Sequence, residues 1–424
     1  MEKFLSFLQQ GVSPFHTVEQ SARWLEQAGF TPLALAEAWD LMPGGRYVVR
    51  CFDSSLVAFA VGRKAGPGSR FRVAAAHTDW PCLRVKPSPE DISGGCCRLQ
   101  IEPYGGAIYS TWLDRPLTMA GKVCLRGKDA MAPESRLVSF DRPVLTIPNV
   151  AIHLNREVNR GVALKGNTDL LPLCRTVEKE WEKDGYLLGM LAREVKCQAE
   201  EILSYDLCVA SAEEPCLVGL EGDMLSSPRL DNLTSVYACV EGIRESAPEQ
   251  DICVIALYDN EEVGSGSKQG AASAMLPSVL EKAGLCLGLD RQAYLNALMG
   301  GILLSCDVAH AVHPNHPELY DAVCRSYLNG GVTLKMNFSQ GYPTDAEALA
   351  VVEELCRREN IPLQRYMNRA DLRGGSTIGA VASPLLSMPA ADVGVPILAM
   401  HSCRELMGSR DEEALCRLTR AFLR

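Results

Sequence analysis

Residues 252–264 read I-C-V-I-A-L-Y-D-N-E-E-V-G. An apolar, β-branched run ends at Tyr258, two adjacent carboxylates follow at Glu261 and Glu262, and Gly264 closes the stretch. Such a run suits a strand buried on both faces of a parallel sheet. Charge at its carboxyl end falls where these sheets place ligands. Neighbouring side chains on an extended or turning backbone diverge, so one carboxylate can hold a metal while the other faces substrate. The same residues also suit an acidic turn capping a helix that begins near Ser265.

Similar runs lie on both sides of this stretch. R-F-R-V-A-A-A, residues 70–76, delivers His77-Thr78-Asp79. His77 and Asp79 are two apart and project to one side of an extended chain, as a metal-binding imidazole oriented by a carboxylate would require. A surface His-x-Asp at a strand end is the plainer alternative. G-G-I-L-L-S-C delivers Asp307, with His310, His313 and His316 close behind. V-G-V-P-I-L-A-M is expected as one short buried strand delivering His401. Asp231 opens a helical run through Ile243, placed either to cap amides or to bridge cations.

Helices are also expected over 1–10, 17–29, 344–358 and 411–423, and strands over 47–52, 55–61 and 361–366, the last near an edge because it carries Pro362. Lys335 lies in the strand-like G-V-T-L-K-M-N, and the glycine-rich turn 373–380 can bring backbone amides to a ligand. Alternating strands and helices imply a mostly parallel or mixed sheet covered on both faces.

From about Arg84 to Asp223 the texture changes to short β-prone pieces broken by glycine and proline. Ile147–Ile152 is expected to continue them, and one helix is expected from about Thr176 to Lys196. The predicted organisation is a discontinuous α/β domain, 1–84 and 226–424, with a β-rich domain, 85–225, inserted. Two domains also suit a chain of 424 residues.

The net charge of -10 argues against a nucleic-acid partner. Seventeen scattered cysteines without a C-x-x-C pair read as buried small hydrophobes in a reducing setting. No signal-like N-terminus and no membrane-length apolar run is present, so a cytoplasmic location without membrane attachment is expected.

Strand ends or the turns after them thus carry His77, Asp231, Glu261, Glu262, Asp307 and His401. An N/O donor set of this kind accepts borderline divalent ions such as Zn2+. His77 with Glu262 or Asp307 can take one ion, His401 with the other carboxylate a second, and Asp231 can bridge. Two such ions lower the pKa of water, polarise a carbonyl and stabilise developing oxygen charge. Glu261, left over, can act as general base. H-E-x-x-H, G-x-S-x-G and a βαβ G-x-G-x-x-G are all absent, which leaves a metal-dependent hydrolase of α/β fold.

Eight segments in order carry a resemblance. They are A-A-H-T-D-W-P-C-L-R-V-K-P (75–87), T-W-L-D-R-P-L-T-M-A-G (111–121), I-P-N-V-A-I-H-L-N-R (147–156), S-P-R-L-D-N-L, Y-D-N-E-E-V-G-S, C-D-V-A-H-A-V-H-P-N, G-G-S-T-I-G and L-A-M-H-S-C-R-E. Together they resemble the M18 metallopeptidases, the aspartyl aminopeptidases and their bacterial relatives. The resemblance implies an αβα-sandwich catalytic domain with a β-rich insertion for oligomerisation and substrate gating. It also implies two divalent ions per subunit, most naturally Zn2+, with Co2+ or Mn2+ as alternatives. Asp307 shares the ion of His77, Glu262 that of His401, Asp231 bridges, Glu261 is the base and Asp79 orients His77. His153 is implied to reach a neighbouring subunit's site, while His310, Lys335 and Tyr342 shape the substrate pocket. The implied reaction is release of the N-terminal residue of a peptide by a homo-oligomer, a tetrahedral dodecamer built from dimers. Trp80 and Gly341, where relatives usually carry serine and arginine, weaken the implied acidic preference. A deacylase or carboxypeptidase of the same broad clan, and a metal-binding scaffold without activity, are the competing functions.

Overall fold

The computed structural model describes residues 1–177, 185–372 and 374–424. The chain divides into two compact units, one of Met1–Trp80, Pro215–Met400 and Glu405–Arg424, the other of Pro81–Glu214 with His401–Arg404.

The first unit is built on a nine-stranded mixed sheet. Its order is Thr31–Leu33, Arg46–Cys51, Ser55–Val61, Ile252–Tyr258, Phe71–His77, Ile302–Cys306, Ala390–Gly394, Val332–Met336 and Leu363–Met367. Ile252–Tyr258 is central and buried along its whole length. Its alternate residues Ile252, Val254, Ala256 and Tyr258 join one apolar cluster with Phe71, Val73 and Ala75 and with the helices Met275–Cys286 and Ile378–Leu386. Residues of the opposite parity, Cys253, Ile255 and Leu257, are equally buried on the side of the Leu230–Arg244 helix. Both faces are covered, so the strand is apolar throughout rather than alternating. Each large side chain buried here contributes about 1.5–3 kcal/mol.

Register then sets the functional rim. Phe71–His77 runs parallel to Ile252–Tyr258, with His77 opposite Tyr258, and parallel to Ile302–Cys306, with Ala75 opposite Ser305. His77 and Asp307, each two residues beyond such a pair, therefore emerge level with one another. At Gly394 the close approach of the backbone demands glycine, because a Cβ there would lie 1.8 Å from the Asp307 carbonyl oxygen.

Several expectations change. The 393–400 stretch is two strands: Ala390–Gly394 stays in the large sheet, while Pro396–Leu398 joins a separate five-stranded sheet. Pro396 has no N–H to continue the first ladder. The helix expected from 17 starts at Pro14, capped by the Ser13 hydroxyl, and ends at Gln27. Glu261–Val263 is a single 3-10 turn, and the next helix begins only at Met275. Helices Arg291–Met299 and Ile378–Leu386 were not foreseen.

The second unit contains a six-stranded antiparallel sheet, ordered Ala132–Ser139, Leu117–Asp129, Ile202–Ser211, Cys82–Ser93, Cys96–Tyr104 and Leu173–Thr176. Residues 147–152, expected as a strand, run as irregular chain. Of the helix expected over 176–196, Tyr186–Val195 is helical and Leu173–Thr176 is a strand, while 178–184 lie outside the described residues. All seventeen cysteines are free thiols. Among the described residues no helix is long and apolar enough to cross a membrane.

One carboxyl gives the first unit a pH dependence. Asp411, fully buried, accepts the amides of Asn329 and Gly331 at 2.7 and 2.8 Å. Burial pushes it up to about 6, against those two amides. An unfolded aspartate titrates near 3.9. Between about pH 4 and pH 6 the folded protein keeps a proton that the unfolded chain has released, so stability falls as pH rises. The stability advantage of the wild type over Asp411→Asn is expected to shrink by about 2 kcal/mol between pH 4.5 and pH 7, since each pH unit crossed below the folded pKa costs about 1.36 kcal/mol. Denaturant unfolding at the two pH values measures this, and a constant difference would contradict it.

Candidate metal centre

His77 ends its strand almost wholly buried, at 1% exposure. Its Nε2 lies 3.5 Å from Asp231 Oδ1 and 3.5 Å from Asp307 Oδ1. Nδ1 faces the other way, toward the Asp79 carbonyl oxygen at 3.0 Å and Asp79 Oδ1 at 3.4 Å. The hydrogen on Nδ1 is thereby fixed, and Nε2 is turned to the carboxylates. Ligand atoms of His77, Asp231 and Asp307 lie within 4.8 Å of one another, as do those of His77, Glu261 and Glu262. Carboxylate oxygens of Asp231 and Glu262 also approach within 4.8 Å.

Asp79 has a larger part than orienting an imidazole. Its Oδ1 accepts the Glu261 amide at 3.1 Å and its Oδ2 the Glu262 amide at 3.2 Å. One carboxylate thus fixes the 3-10 turn that carries both glutamates. Asn260, with φ 62, reverses the chain immediately before them. Spacing alone pointed Asp79 only at His77; the Glu261 contact crosses 182 residues of sequence and leaves no local signal.

Asp231 stands at the start of the Leu230–Arg244 helix in a non-helical conformation, φ -80 and ψ 105, and its peptide bond to Asn232 is cis. Asn232 Nδ2 donates to the Cys306 carbonyl at 2.9 Å, tying this corner to the residue before Asp307. The Asp231 amide donates to Glu405 Oε2 at 3.0 Å. Glu405, 3% exposed, was not foreseen as part of the site.

Lys335 is as buried as His77. Its Nζ pairs with Asp392 Oδ1 at 2.7 Å, donates to the Val308 carbonyl at 3.1 Å and lies 3.9 Å from Asp307 Oδ2. The ring of Tyr342, also buried, sits 5.1 Å from that ammonium. Thr377 Oγ1 donates to the second Asp392 oxygen. His310 stacks near Tyr366, with ring centres 5.9 Å apart. Beyond the ends of Val332–Met336 and Leu363–Met367 opens a cavity of about 850 Å³, walled in part by Met336, Asn337, Phe338, Gly341, Met367 and Asn368. A side chain on Gly341 would start 2.9 Å from the Gly375 carbonyl.

Two expected residues belong to the second unit. His401 has φ 67 and its Nδ1 faces the Gly106 carbonyl at 3.2 Å. The chain on either side of it, Met400 and Glu405, belongs to the first unit. His153 lies on an exposed turn between the exposed apolar side chains Ile152 and Leu154.

Electrostatics test whether cations fit this donor set. Asp79, Asp231, Glu261, Glu262 and Asp307 lie around the His77 imidazole in a mostly buried setting. Burial pushes the Glu261 carboxyl up to about 8; His77 opposes the rise, and the charges of Asp307, Asp79 and Asp231 add to it. Burial pushes the His77 imidazole down, but the Asp307 and Asp79 hydrogen bonds and the charges of Glu261 and Asp307 outweigh it and raise it well above the ordinary histidine value. So much buried negative charge requires positive charge. A nitrogen with several hard oxygens suits divalent zinc, cobalt or manganese.

Removing the Asp79 carboxylate would leave two amides of the glutamate turn without acceptors, at about 1–3 kcal/mol each. Asp79→Ala is expected to lower kcat/KM by about 10- to 100-fold, with Asp79→Asn between it and wild type. Wild-type kinetics in Asp79→Ala would contradict the pinning role.

Comparison with known proteins agrees with this geometry. Residues 7–423 match the M18 family, described as aminopeptidase I zinc metalloprotease. The chain is 40% identical over 411 residues to the probable M18 family aminopeptidase 2 of Clostridium acetobutylicum, covering 97% of this chain and 95% of that one. Ape4, solved in complex with Nbr1, superposes with a TM-score of 0.95 at 33% identity, covering 100% of this chain and 85% of Ape4. The mApe1 dodecamer of S. cerevisiae superposes with a TM-score of 0.84 at 25% identity, covering 99% and 95%. The chain therefore belongs to the M18 family and is a metal-dependent aminopeptidase with a candidate site for two metal ions.

Proposed function

We propose that this chain releases the N-terminal residue of peptides at a centre holding two zinc ions. The observation that carries this is the His77 imidazole, turned by Asp79 toward Asp231 and Asp307, with Glu261 and Glu262 beside it. His77 and Asp307 would hold one ion and Glu262 and His401 the other, with the Asp231 carboxylate as the ligand they would share. Bound there, the ions supply Lewis acidity and lower the pKa of water. Glu261 takes the proton of the attacking water and delivers it to the leaving amine. Asp79 keeps Glu261 and Glu262 in register with His77 during that transfer.

For the released residue we propose an acidic side chain, drawn by Lys335, with His310 and Tyr342 shaping its pocket. A hydrogen bond to a charged group contributes about 1.5–3 kcal/mol. Because Asp392 already shares that ammonium, the preference for Asp or Glu over Leu is expected near tenfold, at about 1.4 kcal/mol per factor of ten. We further propose a cytoplasmic homo-oligomer, a tetrahedral dodecamer built from dimers, in which the inserted domain gates access and His153 reaches the site of a neighbouring copy. The dodecamer of S. cerevisiae mApe1 and the exposed Ile152 and Leu154 beside His153 support the assembly.

The decisive experiment is steady-state kinetics on aminoacyl substrates with Asp, Glu, Leu and Lys at the N-terminus, before and after chelation. Glu261→Gln is expected to lower kcat by about 100-fold or more without loss of metal. Unchanged turnover in that variant, activity surviving exhaustive chelation, or cleavage of N-blocked peptides alone would sink the proposal. Lys335→Ala is expected to abolish the acidic preference.

A further inference from the structure

The corner that presents Asp231 is held by a carboxylate. Glu405 opens the Glu405–Gly408 strand, which pairs antiparallel with Met224–Ser227, placing Glu405 opposite Ser227. From there its side chain spans the turn Pro228-Arg229-Leu230 and accepts the Asp231 amide at Oε2, 3.0 Å away. The turn is sharp: Arg229 adopts φ 62, the left-handed region that non-glycine residues rarely enter. The Asp231 amide lies at a helix start, where no intrahelical carbonyl is available to it. Glu405 supplies the acceptor, and with 3% exposure it has little access to competing water. The next residue is anchored separately, through Asn232 to the Cys306 carbonyl. Asp231 is thus held on one side through its own amide by Glu405 and on the other through its neighbour by the chain that delivers Asp307.

We propose that Glu405 is a positioning residue for the reaction. By accepting the Asp231 amide it fixes the carboxylate that the two ions share, so it governs how tightly the pair of ions is retained and touches neither ion nor substrate. The proposal rests on Asp231 being the bridging ligand. A carboxylate is a strong acceptor for a backbone amide. Partners that orient metal ligands in this way typically change metal affinity by about 10- to 100-fold when removed.

The test uses the full-length protein, stripped of metal and titrated with Zn2+ against a chromophoric chelator, with zinc per subunit and kcat and KM measured in parallel. Glu405→Ala is expected to weaken zinc binding by about tenfold or more and to lower kcat with little change in KM. Glu405→Gln retains a side-chain carbonyl acceptor and is expected to stay close to wild type. If Glu405→Ala does not fold, Glu405→Asp retracts the acceptor by one methylene and is expected to show the same weakening. Wild-type zinc affinity in Glu405→Ala or Glu405→Asp overturns the proposal, as does a Glu405→Gln variant no better than Glu405→Ala. Asp231→Asn separates the two levels. Undiminished zinc binding there removes the bridging role itself. Zinc loss in Asp231→Asn beside undiminished binding in Glu405→Ala removes only the role of Glu405.

Discussion

Mutual repulsion among carboxylates is the constraint on which the catalytic unit depends. Asp79, Asp231 and Asp307 are buried, and Glu261 and Glu262 lie half-buried beside them, around the His77 imidazole. In a low-dielectric pocket such a group stands only with compensating positive charge. Part of the compensation is internal, since the Lys335 ammonium lies 3.9 Å from Asp307. The remainder is what divalent cations supply. Binding metal and holding the fold of this rim together are therefore one physical problem.

The scaffold answers it with backbone amides. Parallel register brings His77 and Asp307 level through the backbone ladder. Two carboxylates then act on main-chain N–H groups: Asp79 on the glutamate turn, Glu405 on the Asp231 corner. Hydrogen bonds to a charged acceptor are stronger than neutral ones, and both acceptors are buried, so each holds its segment of the rim in place. Chemistry that needs a proton moved between a water and an amine depends on such fixed positions.

Much of this was legible in the chain because buried parallel strands announce themselves. Apolar runs ending in His77, Glu261-Glu262 and Asp307 are three neighbouring strands of one sheet, and they stand out because a strand covered on both faces must be apolar to its last residue. Glu405 and Asp392 were invisible for the converse reason: each sits in a short segment whose neighbours carry no periodic signal, and each acts on a partner far away in sequence. The 393–400 stretch misled because its apolar character is continuous across Val395, while Pro396 breaks the hydrogen-bond ladder and sends the chain to another sheet. The alternative reading of the acidic turn as a cap for a helix near Ser265 does not hold, because Asp79 accepts its amides and the next helix begins at Met275.

We propose that the Asp231 carboxylate is shared by two ions placed beside His77 and Glu262. Anomalous diffraction at the zinc absorption edge, from crystals of the zinc-loaded protein, tests it most directly. Two peaks per subunit about 3.5–4 Å apart are expected, one bonded to His77 and Asp307, the other to Glu262 and His401, with an Asp231 oxygen on each. A single peak, or a pair with Asp231 bonded to neither, would contradict it.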